Sequence, residues 1–317
     1  MPEGPEVRHH ADALHDALAG RPLRDVAART KKAKAWLAQH PEAFVGQTVE
    51  QVIAHGKHLI GFVTGDLYFH SHLMMWGRWQ VVPPDDERVA NRDRRERARL
   101  VTDDAVALLY SAPIFEVGRG NPYAQDTRLG SLGPNALSYG APFDVEAFLN
   151  RLLCPEQFER TLGAVLLDQR IVAGIGNYLR ADILFACRLD PWKRVAELTD
   201  ADLDCLCRTV PMITERSYQH GRTVTADEQE RQRTDPDLIY STPADWNTRH
   251  YVFRRTNLPC LVCGDIIRQK HQHTATTADG EEKKRIIYFC PTCQNTSVEL
   301  KPPRKRAKRN RPAEVPA

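Results

Sequence analysis

The sequence has no long apolar segment and little net charge. Hydrophobic residues make up 42% of its 317 residues, yet no run approaches the ~20 consecutive apolar residues that a transmembrane helix needs. The N-terminus is charged and lacks the apolar core of a secretory signal. We therefore expect a soluble, intracellular protein, cytoplasmic or associated with the nucleoid. Its length suffices for two domains with their own cores and a small appended module.

The net charge of +3 argues only weakly for a nucleic-acid partner, but the charge is unevenly distributed. Residues 301–311 carry seven Lys or Arg and no acidic residue. Such a run cannot fold alone, so we predict a disordered basic tail over residues 297–317. Binding to phosphate backbones and simple solubilisation both remain open as uses of this tail.

Eight cysteines in a chain of this size do not indicate a disulfide framework. Four of them form two Cys-x-x-Cys pairs separated by 26 residues, namely Cys260 with Cys263 and Cys290 with Cys293. Each thiolate pair can hold one side of a tetrahedral zinc ion, and a zinc bound by four cysteines has no open position for catalysis. We therefore predict a zinc-finger β-hairpin over residues 248–296 with one structural Zn²⁺. The remaining cysteines lie among apolar residues and are predicted to be buried thiols: Cys154, Cys187, Cys205 and Cys207.

The first seven residues, Met-Pro-Glu-Gly-Pro-Glu-Val, contain the groups of an amine nucleophile and its acid. Because Met is normally removed when Pro follows, we expect Pro2 to provide a free secondary amine. An α-amino group titrates near ~7.7–8.0, so roughly a tenth is unprotonated at neutral pH and able to form a Schiff base. Glu3 lies beside it and can exchange protons. A helical pattern over residues 6–19 would hold Pro2 at the positive helix end.

Short β segments follow this helix between Val45 and Tyr110. They predict an N-terminal antiparallel β-sandwich domain over residues 1–117 with one flanking helix. Gly, Pro, Asn and Ser are frequent in residues 118–145, which we interpret as an interdomain linker. Helical patterning resumes at Val145 and runs to about Gln219, and we predict a helical domain over residues 146–247. Its polar, weakly patterned part, residues 222–247, is typical of a mobile loop.

Two helices around a glycine turn are the most informative part of the second domain. The pattern predicts a helix over residues 158–170, followed by Ile171-Val-Ala-Gly-Ile-Gly-Asn177. Asn177 is expected to be the N-cap of the next helix. Exposed amides at that helix N-terminus suit a phosphate group, while a plain helical hairpin is the alternative.

Together, the N-terminal Pro-Glu, Lys57 in a His-Gly-Lys turn, the Gly-Ile-Gly-Asn turn and the four cysteines resemble the formamidopyrimidine-DNA glycosylase and endonuclease VIII family of base-excision repair. The resemblance spans about residues 1–295 in the family's order. It is closer to the endonuclease VIII branch, because Gly4 and the segment from Gly174 to Arg180 are similar to that branch. It implies a two-domain α+β protein with a helix–two-turn–helix DNA-binding domain before the zinc finger.

The resemblance implies catalytic roles for residues near the N-terminus. Pro2 would attack the anomeric carbon of a damaged nucleotide, displace the base and leave a covalent iminium. β-Elimination and then δ-elimination can follow and cut the strand. Glu3 would protonate the opening sugar ring, with Glu6 as a supporting carboxylate. Lys57 would contact a phosphate next to the lesion and assist proton transfer.

The resemblance also implies a set of DNA contacts. Asn177 would hold a phosphate, and Arg285 would contact phosphates on either side of the extruded nucleotide. A flipped base leaves a hole in the duplex. Met74, Met75 and Trp76 occupy the place of the family's void-filling loop and are suitable apolar wedges. Their alternative is a place in the core on a strand.

The expected partner is damaged double-stranded DNA, bound by a monomer. Residues 111–116, Ser-Ala-Pro-Ile-Phe-Glu, lack the Arg-x-Phe pattern with which the 8-oxoguanine branch reads the opposite cytosine, so oxidised pyrimidines are favoured as substrates. The wedge triplet differs from the Gln-Leu-Tyr type of endonuclease VIII, which leaves recognition of the opposite base open. Two alternatives remain: the same chemistry on oxidised purines, and a non-catalytic zinc-dependent DNA-binding protein.

Overall fold

A computed structural model describes residues 2–235, 238, 248–277 and 279–300 of the chain. Its buried apolar residues form two large clusters, one within the N-terminal β-strands and one shared by the later helices and the C-terminal hairpin. Among the described residues, no helix is both long and apolar enough to cross a bilayer.

The N-terminal part is an antiparallel sandwich of two four-stranded sheets, as predicted. Strand order is β1-β6-β7-β5 in one sheet and β2-β3-β4-β8 in the other. The core between them includes Leu59, Phe69 and Leu109, and α1 adds Leu14 and Leu18. The elements are α1 Gly4–Leu18, β1 Asp25–Ala28, α2 Lys31–Gln39, β2 Val49–His55, β3 His58–Val63, β4 Leu67–His72, β5 Arg78–Val82, α3 Glu87–Ala90, β6 Glu96–Val101, β7 Val106–Tyr110 and β8 Ile114–Arg119.

A second flanking helix, α2, differs from the expectation of one. Its first turn carries three lysines, and Ala33 is its only buried residue, so its apolar pattern is too weak to identify a helix. The highly charged residues 83–99 contain the short helix α3 and the start of β6. These differences leave the sandwich itself unchanged.

The second part is helical, with α4 Pro122–Gln125, α5 Thr127–Gly130, α6 Val145–Leu152, α7 Leu162–Val165, α8 Asn177–Ala186, α9 Asp200–His220 and α10 Ala226–Thr234. The predicted helix over residues 158–170 is wrong in extent, because only α7 forms there. The predicted loop over 222–247 is also partly wrong. Thr225 accepts a hydrogen bond from the Glu228 amide and caps α10, whereas residues 236–237 and 239–247 lie outside the described residues.

The C-terminal hairpin consists of β9 Arg268–Thr276 and β10 Glu282–Phe289, paired antiparallel as predicted. It packs against the helical part, β9 on α7 and β10 on α8. The chain is still bound to the fold at Ser297, whose amide donates to Asp190 at 2.8 Å. Residues 297–300 of the predicted basic tail are thus described with the fold, and residues 301–317 lie outside the described residues.

The prediction of four buried thiols is wrong. Cys187, at the end of α8, and Cys205, in α9, are joined by a disulfide bond. Cys154 and Cys207 are free and partly exposed. Apolar neighbours in the sequence therefore did not report the state of these sulfur atoms, which depends on packing between elements.

Candidate active site

The first turn of α1 contacts the glycine turn before α8, and glycines on both sides allow this close approach. The Gly4 amide donates to the Gly174 carbonyl at 2.9 Å. A Cβ at Gly56 would lie 2.7 Å from the Gly174 backbone nitrogen, and Gly56 has a φ of +56° that disfavours other residues. A Cβ at Gly176 would lie 2.3 Å from the Glu3 carboxyl carbon. The N-terminal sandwich and the helical domain therefore meet backbone to backbone here.

Glu3 is the N-cap of α1, and its side chain reaches across to the N-terminus of α8. It is only 3% exposed. Its carboxylate accepts hydrogen bonds from the amides of Gly176 at 2.7 Å, Tyr178 at 2.9 Å and Leu179 at 3.2 Å. Free amides and the helix dipole at an N-terminus favour a negative group, so α8 binds and orients this carboxylate.

Burial dominates the electrostatics of Glu3 and Lys57. It raises the pKa of Glu3 to about 7, against the opposing effects of the Lys57 charge and the α8 amides. Burial lowers the pKa of Lys57, while the Glu3 charge opposes that change. The Lys57 ammonium donates to the Ile175 carbonyl at 2.6 Å. A carboxyl group and a lysine side chain thus lie together in a buried site, with Glu3 near its titration midpoint at neutral pH.

Glu6 and Tyr178 form a second layer of this site. Glu6 accepts the Glu3 amide at 2.8 Å, and its carboxylate accepts the Tyr178 hydroxyl at 3.1 Å. The same hydroxyl lies 3.0 Å from the Ser217 hydroxyl on α9. Sequence reasoning missed Tyr178, although its position directly after Asn177 at a helix start was a usable signal. Pro2 directly precedes Glu3 and is partly exposed, so its position allows access from solvent.

Three further polar residues lie near the N-terminus of α8: Asn177, Arg180 and Arg285. Asn177 is the first residue of α8 and Gly176 is its N-cap, so the predicted N-cap was off by one residue. Arg180 is fully buried and donates to the carbonyls of Gly163 at 2.7 Å and Ile286 at 2.9 Å, which ties α8 to β10. Arg180 was missed because a buried arginine leaves no pattern in the sequence.

Positive charge accumulates at this point. Arg285 is exposed on β10, and its charge contributes to lowering the pKa of both Lys57 and Arg180. Burial is the larger cause for Arg180 and lowers its pKa to about 9. Three cationic side chains, those of Lys57, Arg180 and Arg285, thus lie close together at the start of α8, whose first amides bind Glu3. The arrangement favours an anion such as a phosphate next to the Glu3 carboxyl group.

The segment joining β4 to β5, residues 73–77, is here called the wedge loop. Met74, Met75 and Trp76 are 43%, 58% and 77% exposed, which excludes the alternative of a place in the core. Leu73 anchors the loop in the sandwich core, and its carbonyl accepts the Gly77 amide at 2.8 Å. Three large apolar side chains therefore project from a closed, anchored loop, which is rare unless they contact a partner.

The four cysteines of the hairpin module come together as predicted, with their sulfur atoms within 4.8 Å of one another. The Cys260 and Cys293 sulfurs are 3.8 Å apart, and those of Cys263 and Cys290 are 3.4 Å apart. Tetrahedral coordination with zinc–sulfur bonds of about 2.3 Å places sulfurs roughly 3.8 Å apart. The cluster therefore has the ligand number, type and spacing of a structural metal site.

Comparisons with known proteins agree with this geometry. The family model of the formamidopyrimidine-DNA glycosylase N-terminal domain matches residues 1–113, and that of the formamidopyrimidine-DNA glycosylase H2TH domain matches residues 132–229. Endonuclease 8 of Klebsiella pneumoniae (strain 342) is 33% identical over 300 residues, which cover 93% of this chain and 100% of that protein. Endonuclease 8 of Shigella sonnei (strain Ss046) is 34% identical over 295 residues, with the same coverage.

The fold has a counterpart among solved structures. Lactococcus lactis Fpg, in a complex with DNA containing an abasic site, aligns with a TM-score of 0.67 and 19% identity, covering 92% of this chain and 99% of that one. The family models together match well over half of the chain, and the relatives align over nearly all of it. The chain therefore belongs to the formamidopyrimidine-DNA glycosylase and endonuclease VIII family, the DNA glycosylases and abasic-site lyases of base-excision repair.

Proposed function

We propose that this protein excises oxidised bases from DNA through a Schiff base formed by Pro2 and then cuts the strand by elimination. The observation that carries the proposal is the buried Glu3 carboxyl group, one residue from Pro2 and bound by the α8 amides beside Lys57. A non-catalytic DNA-binding protein has no need of a buried carboxyl group in that place. Burial of this group costs stability, which a catalytic use explains.

The Pro2 amine is the nucleophile once Met1 has been removed. Its lone pair forms a bond to C1′ of the damaged nucleotide, and the bond from C1′ to the base breaks with protonation of the leaving base. Opening of the sugar ring at O4′ yields the iminium. The iminium acidifies C2′, and loss of a C2′ proton breaks the bond between C3′ and its phosphate oxygen. That step is β-elimination, and δ-elimination at C5′ is its continuation.

Glu3 supplies the proton to O4′ as the ring opens. With its pKa raised to about 7 by burial, it is protonated in about half of the molecules at neutral pH, which suits a general acid. Lys57 holds the phosphate beside the lesion and assists proton transfer. Glu6 keeps Glu3 in place through the Glu3 amide and the Tyr178 hydroxyl.

The remaining predicted residues bind DNA or support the residues that do. Asn177 and Arg285 contact phosphates around the extruded nucleotide, and the wedge loop fills the space that the nucleotide leaves. One zinc ion held by the four cysteines stabilises the hairpin that carries Arg285, and its full coordination excludes a direct catalytic role. The protein acts as a monomer on nucleoid DNA. Its domain boundaries are those predicted from the sequence.

Oxidised pyrimidines are the favoured substrates. Support comes from the Endonuclease 8 relatives and from residues 111–116, which offer no arginine to an opposite cytosine. Excision of oxidised purines is the alternative. A panel of duplexes with 5-hydroxyuracil, thymine glycol or 8-oxoguanine opposite each of the four bases separates the two. Faster excision of 8-oxoguanine opposite cytosine would favour the alternative.

Borohydride trapping on DNA with an abasic site tests the chemistry directly. We expect a covalent adduct that peptide mapping assigns to Pro2. Protein that retains Met1 is the matched control, since it differs only in the blocked amine, and it should give no adduct. An adduct on another residue would refute the role of Pro2, and absence of any adduct with a free Pro2 would favour the non-catalytic alternative.

A further inference from the structure

His72 is the last residue of β4 and directly precedes the wedge loop. Its Nδ1 accepts a hydrogen bond from the Met74 amide at 3.1 Å. Met74 has a φ of +54°, a left-handed conformation that is uncommon for residues other than glycine. Within the described part of the chain, the side chain that accepts this amide is that of His72, two residues earlier, an arrangement that Asn or Asp often provides in turns.

The charge state of His72 suits this role. Burial, helped by the charges of Lys57 and Arg128, lowers the pKa of His72 to about 4, and the His58 ring packs next to it. The ring is neutral at physiological pH, so Nδ1 has a free lone pair and Nε2 carries the hydrogen. A protonated ring would have a hydrogen on Nδ1 and could not accept the Met74 amide.

A neighbouring aromatic ring also restrains the ring of His72. It packs edge-on against the His58 ring, with centroids 4.7 Å apart. His58 Nδ1 in turn shares a hydrogen bond with His70 Nε2 at 2.9 Å. Both of these residues are buried in the sheet, so His72 lies at the end of a packed row and has little freedom to turn away from Met74.

We propose that His72 is a positioning residue that holds the wedge loop in the conformation that enters the duplex. The inference rests on the proposed function, because it needs a base to be flipped and a hole to be filled. The hydrogen bond fixes Met74 in its left-handed conformation, and this fixes the direction of Met75 and Trp76. A loop ordered before binding loses less conformational entropy when its side chains enter the DNA.

Two variants test this inference. His72→Asn keeps an acceptor for the amide two residues on, and His72→Leu removes it. Both are neutral, as is His72 in the folded protein, so neither changes the charge next to Lys57. The readout is the ratio of single-turnover excision rates on a duplex and on the same lesion strand alone, because a single strand has no hole to fill.

We expect His72→Leu to lower this ratio about threefold to tenfold, as loss of one backbone hydrogen bond implies, and His72→Asn to keep it within about twofold of the wild type. Equal ratios in all three proteins would overturn the inference, as would an equal fall in both variants. A wild type without excision on either substrate would instead refute the proposed function.

A second measurement does not depend on catalysis or on the Leu variant alone. In a Glu3→Gln background, 2-aminopurine placed opposite the lesion reports by its fluorescence whether the stack is opened and filled. We expect His72→Leu and His72→Ala to weaken this signal at saturating protein, with His72→Asn unaffected. An unchanged signal in both the Leu and Ala variants would overturn the inference.

Discussion

Replacing Glu3 by glutamine removes a carboxyl group that is buried between the two domains and should change how stability depends on pH. In the folded protein burial raises the pKa of Glu3 to about 7 from its ordinary value of 4.5. The folded state thus binds this proton more tightly than the unfolded state. The contribution of Glu3 to stability is fully present below pH 4.5 and is lost as the pH rises to about 7.

The magnitude follows from the two pKa values. Each pH unit between them corresponds to about 1.4 kcal/mol, so Glu3 should remove about 3 kcal/mol from the free energy of unfolding as the pH rises through this window. The glutamine variant has no such dependence. Its amide cannot accept all three α8 amides, which lowers its stability by an amount that does not vary with pH.

Urea denaturation followed by circular dichroism between pH 4.5 and pH 8 measures the effect. The free energy of unfolding of Glu3→Gln minus that of the wild type should increase by about 3 kcal/mol across this range. Glu50→Gln is the matched control, because it makes the same change in charge at an exposed position on β2 and should give a flat difference. A flat difference for Glu3→Gln as well would refute the conclusion that burial raises the pKa of Glu3.

Four further predictions concern the active site and the zinc-finger hairpin. A plot of kcat/KM for base excision against pH should be bell-shaped. It should fall above about pH 7 as Glu3 loses its proton, and below ~7.7–8.0 as the Pro2 amine gains one. A profile that is flat between pH 6 and 9 would contradict both assignments. Gly176→Ala should displace the Glu3 carboxyl group, destabilise the protein by about 1–3 kcal/mol and reduce excision, and wild-type activity would contradict the close packing. Arg285→Ala should weaken DNA binding and reduce its salt dependence by about one released ion, while elemental analysis still finds one zinc per chain. Cys260→Ser should lose both the metal and DNA binding. A metal-free but active Cys260→Ser protein would refute a structural zinc.

The elements with strong local signals were predictable from the sequence. The helical spacing of Val7, Ala11, Leu14 and Leu18 correctly identified α1, because a helix buries one face and these residues form it. Two Cys-x-x-Cys pairs were sufficient to predict the sulfur cluster, since few other structures need that spacing. The strands of the sandwich were also predictable, because a strand that buries one face alternates apolar and polar residues.

The parts that depend on contacts between distant segments were not predictable. The disulfide between Cys187 and Cys205 forms because α8 ends beside the start of α9, a fact of packing that spacing does not report. Arg180 became important only because β10 presents a carbonyl to it from more than a hundred residues away. The N-cap at Gly176, one residue before the predicted Asn177, reflects the need for a residue without a side chain where Glu3 approaches.

The acidity of Glu3 depends on both domains, because amides of the other domain bind its carboxyl group. Glu3 belongs to the first helix, but the groups that bury and bind it lie at the start of α8. Any hinge movement that lets water into this seam would return the carboxyl group to an ordinary acidity and leave it ionised at neutral pH. Under the proposed mechanism, the proton for ring opening is therefore available only while the two domains are closed together.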